Sequence, residues 1–417
     1  MYHQKYKKNG IHPDDIKGIK DIKKLPFISK DDLRKNYPDK LLPKGYDKNK
    51  AYVICTGGTT GKSVSIYTDF YTMGKAAMGF LREMKFYNLK PTKSRFVHIG
   101  NFNESRIDKI ADEKLSKPLK FVFSVNVLNI DVNTKTKKIL EILDKFNPDL
   151  IMSYPAVFQH LAYLKKQGIG NNIKPKYLLT GGAMLDNYTK KYVQETFNCP
   201  MLNIYQSVEA QGTIANECIH HNWHINTDFY HIEAINDNHE LVEMGERGQI
   251  VLTRLWGKGT PIIRYTGMDD WVKLTDFKKC ECGLETPLIK DGVEGRQKAN
   301  IVLPNGKVFP PGAFCFIEPI LSKNNTYKIK QYQIVQRKLD KIEIYIVIDE
   351  KLRDIGVSVD VIKKQIKDIY ENKTGPGVEI EIIEVDEIKH PKNANKPAPI
   401  VVSHVSQKEG YKVFEQN

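Results

Sequence analysis

No stretch of this 417-residue chain approaches the ~20 consecutive apolar residues of a membrane-spanning helix, so no membrane span is expected. The start, Met1-Tyr2-His3-Gln4-Lys5-Tyr6-Lys7-Lys8, is followed by no apolar core, which argues against a secretory leader and makes a cytoplasmic location the expectation. The six cysteines are spaced unlike a disulfide framework, in a chain far longer than the small secreted domains that need one. Internal repeats and low-complexity tracts are absent from the sequence, which excludes solenoids and linker-type proteins.

What is present fits an ordinary globular protein of two or three domains. Hydrophobic residues make up 41% and charged residues 27% of the chain, close to the usual balance. The formal net charge is +14. Lysine is spread along the whole length, and no recognised nucleic-acid motif accompanies it. The charge therefore reads as attraction for an anionic substrate, and nucleic acid is not an expected partner.

Seven residues concentrate the chemistry: Thr56-Gly57-Gly58-Thr59-Thr60-Gly61-Lys62. Glycine lets the backbone approach a ligand closely. Consecutive N–H groups in such a loop form a concave anion site. Three threonine hydroxyls and the Lys62 ammonium add donors and charge. The combination suits a polyphosphate. It is not a Walker loop, because position 56 is Thr and Ser63–Thr68 alternates polar and apolar like a strand, where a Walker loop would enter a helix. It is a phosphate loop between two strands, Ala51–Cys55 and Ser63–Thr68; a plain Gly/Thr hairpin turn is the simpler alternative.

Downstream, helical spacing over Tyr71–Tyr87 puts Met73, Ala76, Ala77, Phe80, Leu81 and Met84 on one side. Strand and helix patterns then alternate: Arg95–Ile99, Thr134–Phe146, Asp149–Ser153, Val157–Gln167, Tyr177–Thr180, Tyr188–Thr196 and Met201–Tyr205. That rhythm predicts a parallel sheet with right-handed crossovers, whose ligands bind beyond the strands' carboxyl ends. Gly181-Gly182-Ala183 and Tyr205–Glu209 fall at such ends. From Glu240 the pattern turns antiparallel, with strands expected at Gln249–Thr253, Pro261–Tyr265 and Trp271–Leu274. After Gly295-Arg296 a strand (Lys341–Ile348), a helix (Val361–Tyr370) and a strand (Val378–Val385) predict a small α+β domain. The fold class expected is α/β: a large domain, 1–295, with mixed and parallel sheets flanked by helices, plus a small α+β domain, 296–417.

A metal site is the second sharp signal. Cys218-x-x-His221-x-x-His224 is followed by Cys280-Glu281-Cys282-Gly283. Thiolates and imidazoles in this mix suit tetrahedral Zn²⁺. Cys218, His224, Cys280 and Cys282 are the preferred four ligands, with His221 as substitute and His220 third. Free cysteines in turns are the plainer alternative; Cys55, Cys199 and Cys315 read as core residues.

The order of these motifs resembles the adenylate-forming enzymes, and within them the phenylacetate–CoA ligase-like family, from near the N-terminus to Lys396. The resemblance implies that Thr56–Lys62, Thr59 and Lys62 included, holds the β- and γ-phosphates of ATP. Gly181-Gly182-Ala183-Met184 resembles an adenine-pocket segment, with Met184 where the family has Glu. Tyr205-Gln206-Ser207-Val208-Glu209 resembles Y-G-x-[ST]-E, in which the aromatic stacks on adenine and the carboxylate holds Mg²⁺; Gln206 and Val208 depart from the pattern. Arg264-Tyr265-Thr266-Gly267-Met268-Asp269-Asp270 resembles the family's R-Y-x-x-x-D, in which the aspartate binds the ribose hydroxyls. Counting from Arg264 gives Asp269; counting back from Trp271 and Val272 gives Asp270, the slightly preferred choice. Gly295-Arg296-Gln297-Lys298 resembles the interdomain hinge, with Arg296 on the nucleotide and Lys298 as pivot. Pro391–Lys396 resembles the segment that carries the catalytic lysine, here Lys396, with Lys389 and Lys392 as fallbacks.

The implied activity is two-step acid activation. A carboxylic acid, aryl or small acyl, reacts with ATP to acyl-AMP, and coenzyme A then takes the acyl group with release of AMP. The implied cofactors are ATP/AMP, Mg²⁺, coenzyme A and a structural Zn²⁺, and a homodimer is the assembly entertained. The alternatives are adenylylation of a deazaflavin-type cofactor and acyl transfer to a protein or in polysaccharide biosynthesis. A zinc-stabilised RNA-binding protein is the reading from a different class.

Overall fold

The computed structural model describes residues 1–56, 64–102, 110, 113–114, 126–295, 299–309, 311–388 and 398–405, with 278, 313 and 318 by backbone alone. The chain divides into two compact units. The first comprises Met1–Ser94, Asn101–Val127 and Ile204–Val293; the second comprises Arg95–Gly100, Leu128–Asn203 and Glu294–Asn417.

In the first unit, Ala51–Cys55 and Ser65–Asp69 pair antiparallel, Cys55 opposite Ser65. Asp69 ends that hairpin and starts a helix, Phe70–Phe86, its carboxylate accepting from the Thr72 N–H at 2.7 Å. Such a cap satisfies one of the helix's four orphan donors. The face that this helix buries is Thr72, Met73, Gly79, Glu83 and Met84, rotated from the apolar side expected and carrying a carboxylate. Ile204–Ser207, Gly212–Glu217, Trp223–Ile225 and Leu288–Ile289 form antiparallel neighbours. Tyr230–Ile235, Arg247–Arg254 and Trp271–Lys273 make a separate antiparallel sheet. A core including Ile54, Ile66, Tyr205, Leu252, Tyr265 and Val272 fills this unit.

Pro261–Tyr265 is not a strand, contrary to the period-2 expectation. Arg264 sits at φ +48°, outside the extended region, and only Tyr265 makes isolated bridges, to Ile28 and Leu252. Near the N-terminus Pro13–Asp15 forms a short 3₁₀ turn capped by His12.

In the second unit Arg95–Gly100, Leu150–Ser153 and Tyr177–Gly181 run parallel in register, as the alternating pattern predicts. Thr136–Phe146, Pro155–Lys166 and Asn187–Phe197 are the accompanying helices. Asn147 and Asn198 close two of them at φ +47° and +51°, a conformation that asparagine tolerates better than most residues. Further along, Ile329–Lys338 and Lys341–Ile348 form an antiparallel pair flanked in parallel by Val401–Ser403 and Glu379–Glu384. The helix Val359–Thr374 buries Ile362, Ile366 and Tyr370 in the core of that sheet. The helix and the strands Lys341–Ile348 and Glu379–Glu384 were legible; Ile329–Lys338 was not, its apolar residues interrupted by Lys330, Gln331 and Gln333.

Candidate active site and metal centre

The phosphate-loop motif is anchored by its first residue. The Thr56 N–H donates to the Val64 carbonyl, and the Val64 N–H donates to Thr56 Oγ1, both at 2.9 Å. These bonds extend the hairpin ladder by one rung before the chain leaves it. Gly57, Gly58, Thr59, Thr60, Gly61 and Lys62 lie outside the described residues, as do Arg296, Lys298, Lys389, Lys392 and Lys396.

Two other motifs meet in the first unit. The strand Met201–Ser207 runs out at Ser207, whose carbonyl accepts the Gln211 N–H at 3.0 Å and whose hydroxyl accepts the Ala210 N–H at 3.0 Å. That turn carries Glu209, only 5% exposed. Gln206 is exposed and Ser207 half-buried. Tyr265 donates its hydroxyl to Glu209 Oε1 at 2.8 Å. Burial, then the adjacent Glu209 carboxylate, pushes the Tyr265 phenol well above its ordinary pKa, so it stays a donor. Tyr205 donates to Asp270 Oδ2 at 2.8 Å.

The two aspartates part company here. Asp269 sits at φ +58° and its carboxylate pairs with the Lys30 ammonium. Asp270, mostly buried, faces the Tyr205 hydroxyl and accepts through its carbonyl from the Ile250 N–H at 2.9 Å. Arg264 fixes the segment that bears them. Its guanidinium grips Glu233 bidentately, both bonds 3.0 Å, and also reaches the carbonyls of Lys23 and Leu25. Arg254 holds the Glu209 turn from behind, donating to the Glu209 carbonyl at 3.3 Å. Lys30, Arg254 and Glu233 were not singled out from sequence; only tertiary pairing reveals them.

In the second unit Gly182, at φ +73°, turns the chain out of Tyr177–Gly181. Ala183 is exposed, and Asp186 then caps the next helix through the Thr189 N–H at 3.0 Å.

Cys218, His224, Cys280 and Cys282 bring their donor atoms within 4.8 Å of one another. Cys218 Sγ lies 3.8 Å from Cys280 Sγ, and Cys282 Sγ lies 3.3 Å from His224 Nε2. A tetrahedron with Zn–S of about 2.3 Å has S–S edges of roughly 3.8 Å, so the cluster is already near that size. The elements explain the convergence. His224 stands on a strand opposite Asn216 and Leu288. Cys280 and Cys282 flank a turn closed by Gly283 at φ +90°. His224 Nδ1 meets Thr286 Oγ1 at 2.8 Å, which orients the ring with Nε2 toward the thiols. Burial lowers the His224 pKa and favours the neutral imidazole that a metal needs. Burial works against the Cys280 thiolate too, but hydrogen bonds from the Cys282 backbone and Asn222 outweigh it and hold its pKa below the ordinary thiol value. The donor chemistry and spacing fit a structural zinc ion. His221, the substitute ligand, is turned away: at φ +61° its exposed ring meets the buried Glu217 carboxylate at 2.6 Å. His220 lies beside Glu281 at 3.3 Å.

No protein-family model matches the chain. It is 24% identical over 363 residues to a phenylacetate–coenzyme A ligase of Pseudomonas putida, spanning 83% of this chain and 76% of that protein. A Thermus thermophilus enzyme of the same name is 26% identical over 370 residues, spanning 84% and 77%. The Staphylococcus aureus protein CapK is 26% identical over 362 residues, spanning 84% and 74%. Among solved structures, 2-hydroxyisobutyryl-CoA ligase in its postadenylation state superposes with a TM-score of 0.78 at 17% identity, over 96% of this chain and 85% of that one.

The chain is similar in sequence to enzymes named phenylacetate–CoA ligase and has the fold of the adenylate-forming CoA ligases.

Within that fold, the Tyr205–Glu209 and Arg264–Asp270 motifs are side by side, and the zinc-type cluster is a separate feature of the same unit. Among the described residues no helix is long and apolar enough to cross a membrane.

Proposed function

We propose that this protein activates a carboxylic acid with ATP, forming acyl-AMP and pyrophosphate, and then passes the acyl group to coenzyme A with release of AMP. The carrying observation is the pair of hydrogen bonds Tyr205–Asp270 and Tyr265–Glu209, which unite motifs 56 and 65 residues apart. The relatives named phenylacetate–CoA ligase and a structural neighbour holding an acyl-AMP support the reading. An aryl or small acyl acid is the substrate class.

In the first step a carboxylate oxygen attacks the α-phosphorus and the bond to pyrophosphate breaks. Positioning and charge neutralisation carry such a step, with little demand for a protein nucleophile. Tyr205 presents a ring edge-anchored through its hydroxyl, suited to stack on adenine. Asp270, held toward that ring, takes the ribose hydroxyls; Asp269, spent on Lys30, does not. Gly182 and Ala183 line the adenine side, and Gln206 and Ser207 border the phosphates. Thr56–Lys62 cradles the β- and γ-phosphates, and Lys396 offsets charge at the reacting oxygens. Glu209 is the oxygen donor for Mg²⁺, which would neutralise phosphate charge when bound; its buried carboxylate, with Oε1 fixed by Tyr265, is the hard ligand that such an ion takes.

In the second step the thiol sulfur attacks the acyl carbonyl, the mixed-anhydride C–O bond breaks and AMP leaves. Residues 296–417 form the mobile domain of this reading, with Arg296 on the nucleotide and Lys298 as pivot against 1–295. Zn²⁺ on Cys218, His224, Cys280 and Cys282 is structural. A cytoplasmic homodimer completes the proposal.

The test is pyrophosphate exchange into ATP across a panel of aryl and short-chain acids, followed by product mass with and without coenzyme A. Acid-dependent exchange and an acyl-CoA product are expected. Exchange without any acyl-CoA would transfer the second step to another acceptor; no exchange with any acid would refute the activity.

A further inference from the structure

A cavity of about 470 Å³ opens in the first unit between Pro43–Tyr46 and Arg254–Ile263. Among the described residues its lining holds three cations, Lys44, Arg254 and Lys258, and no carboxylate.

Arg254 is the unusual member. It is 7% exposed, and its guanidinium donates only to the carbonyls of Glu209, Trp256 and Thr260. Among the described residues no acid pairs with it. Burial lowers its pKa to about 10. A buried charge without a counter-charge is costly. Asp69 is the carboxylate whose field reaches Arg254, and that group is already engaged by the Tyr46 hydroxyl at 2.6 Å and the Thr72 N–H at 2.7 Å. Among the described residues the cavity thus carries a buried positive charge with no carboxylate paired to it.

Its wall is also preset. Gly257 and Gly259 stand at φ +88° and +81°. A Cβ on Gly257 would come within 2.9 Å of Thr72 Cγ2, and one on Gly259 within 2.5 Å of the Tyr67 carbonyl oxygen. The loop is pinned there by the Lys258 N–H to Thr72 Oγ1, 2.8 Å, and the Thr260 N–H to the Tyr67 carbonyl, 3.0 Å. Lys258 and Lys44 are exposed at the mouth, while Trp256, Ile262 and Ile263 supply apolar wall.

We propose that this cavity is a binding site for a phosphate-bearing ligand, with Lys44 and Lys258 on the phosphate and Arg254 supplying the buried positive field. Arg254 also bonds the Glu209 carbonyl, so the cavity shares a wall with the proposed catalytic turn. Two sources carry the right chemistry, and both rest on the proposed function: the phosphorylated adenosine end of coenzyme A, and the pyrophosphate product. The mixed apolar and cationic lining fits the former.

The experiment is calorimetric binding to the full chain of adenosine 3′,5′-bisphosphate, pyrophosphate and, as control, adenosine. The wild type is compared with the Lys44→Met/Lys258→Met double variant. Binding of either phosphate compound but not adenosine, weakened about tenfold or more in the variant and by added salt, is expected; the compound that binds names the source. Binding equal in both proteins, or no phosphate binding to the wild type, overturns the site. Acid-dependent exchange is run on the same samples. Absence of exchange by the wild type with any acid would sink the proposed function while leaving the binding result standing.

Discussion

Tyr205 donates its hydroxyl to Asp270 across 2.8 Å, while the neighbouring Asp269 is taken by Lys30. Two adjacent carboxylates thus have opposite fates. Asp270→Asn is expected to raise the KM for ATP by roughly ten- to a hundredfold, the scale of a lost charge-assisted hydrogen bond or two. Asp269→Asn keeps a side chain that tolerates φ > 0 and is expected to leave that KM within about threefold. The exchange assay over a range of ATP concentrations reads both; the reverse ranking would assign the ribose to Asp269.

Arg264 and Glu233 form a buried, bidentate pair that also fastens the carbonyls of Lys23 and Leu25. Removing one member leaves the other charged and buried. Glu233→Gln is expected to destabilise the fold by about 3–5 kcal/mol. The urea midpoint should fall accordingly; an unchanged midpoint would mean that the pair contributes nothing.

Glu83 is fully buried on the helix Phe70–Phe86; Asn226 donates to one oxygen at 3.3 Å, and among the described residues the other has no hydrogen-bond partner. Burial raises its pKa to about 7. A carboxyl whose folded pKa lies above its unfolded value binds its proton more tightly in the native state. Stability from this group is therefore complete below about pH 4.5 and is lost as pH rises through about 7. Glu83→Gln should remove that slope and stabilise the protein at pH 8 by at most about 3 kcal/mol. Thermal unfolding of both proteins from pH 5 to 8 checks it; parallel curves would contradict the assignment.

The cluster Cys218, His224, Cys280 and Cys282 should hold one zinc ion per chain by elemental analysis. Cys280→Ser should lose the metal and lower the melting temperature. His221→Ala should retain it, because that ring faces Glu217. Loss of metal in His221→Ala would return that residue to the ligand set.

Much of this architecture is legible from periodicity. Ala51–Cys55 and Lys341–Ile348 coincide with their expected spans, the first a short apolar run with β-branched Val53 and Ile54, the second an alternation rich in isoleucine. The metal cluster is legible as well, since Cys-x-Cys-Gly and Cys-x₂-His-x₂-His spacing limits the candidates to a handful; which histidine turns inward depends on a left-handed backbone at His221 that spacing does not encode. Pro261–Tyr265 misleads for a related reason. Arg264 leaves the extended region to reach Glu233, and buried ion pairing overrides β-propensity. Glu83 escapes notice because a carboxylate counts as a solvent-facing residue in any amphipathic pattern. The bonds Tyr205–Asp270 and Tyr265–Glu209 join residues far apart in sequence, and no local rule pairs them; the motifs pointed to Tyr205, Glu209 and the aspartates, but their partners emerge only in three dimensions.

The central claim is that one nucleotide site activates an acid with the help of a lysine near the chain's end. Its most direct measurement is acid-dependent exchange of labelled pyrophosphate into ATP by the wild type and Lys396→Ala, beside thioester formation from a supplied acyl-adenylate. The account predicts robust exchange by the wild type, near-complete loss in Lys396→Ala, and thioester formation spared in that variant. Equal loss of both half-reactions in Lys396→Ala, or no exchange by the wild type with any acid, would contradict it.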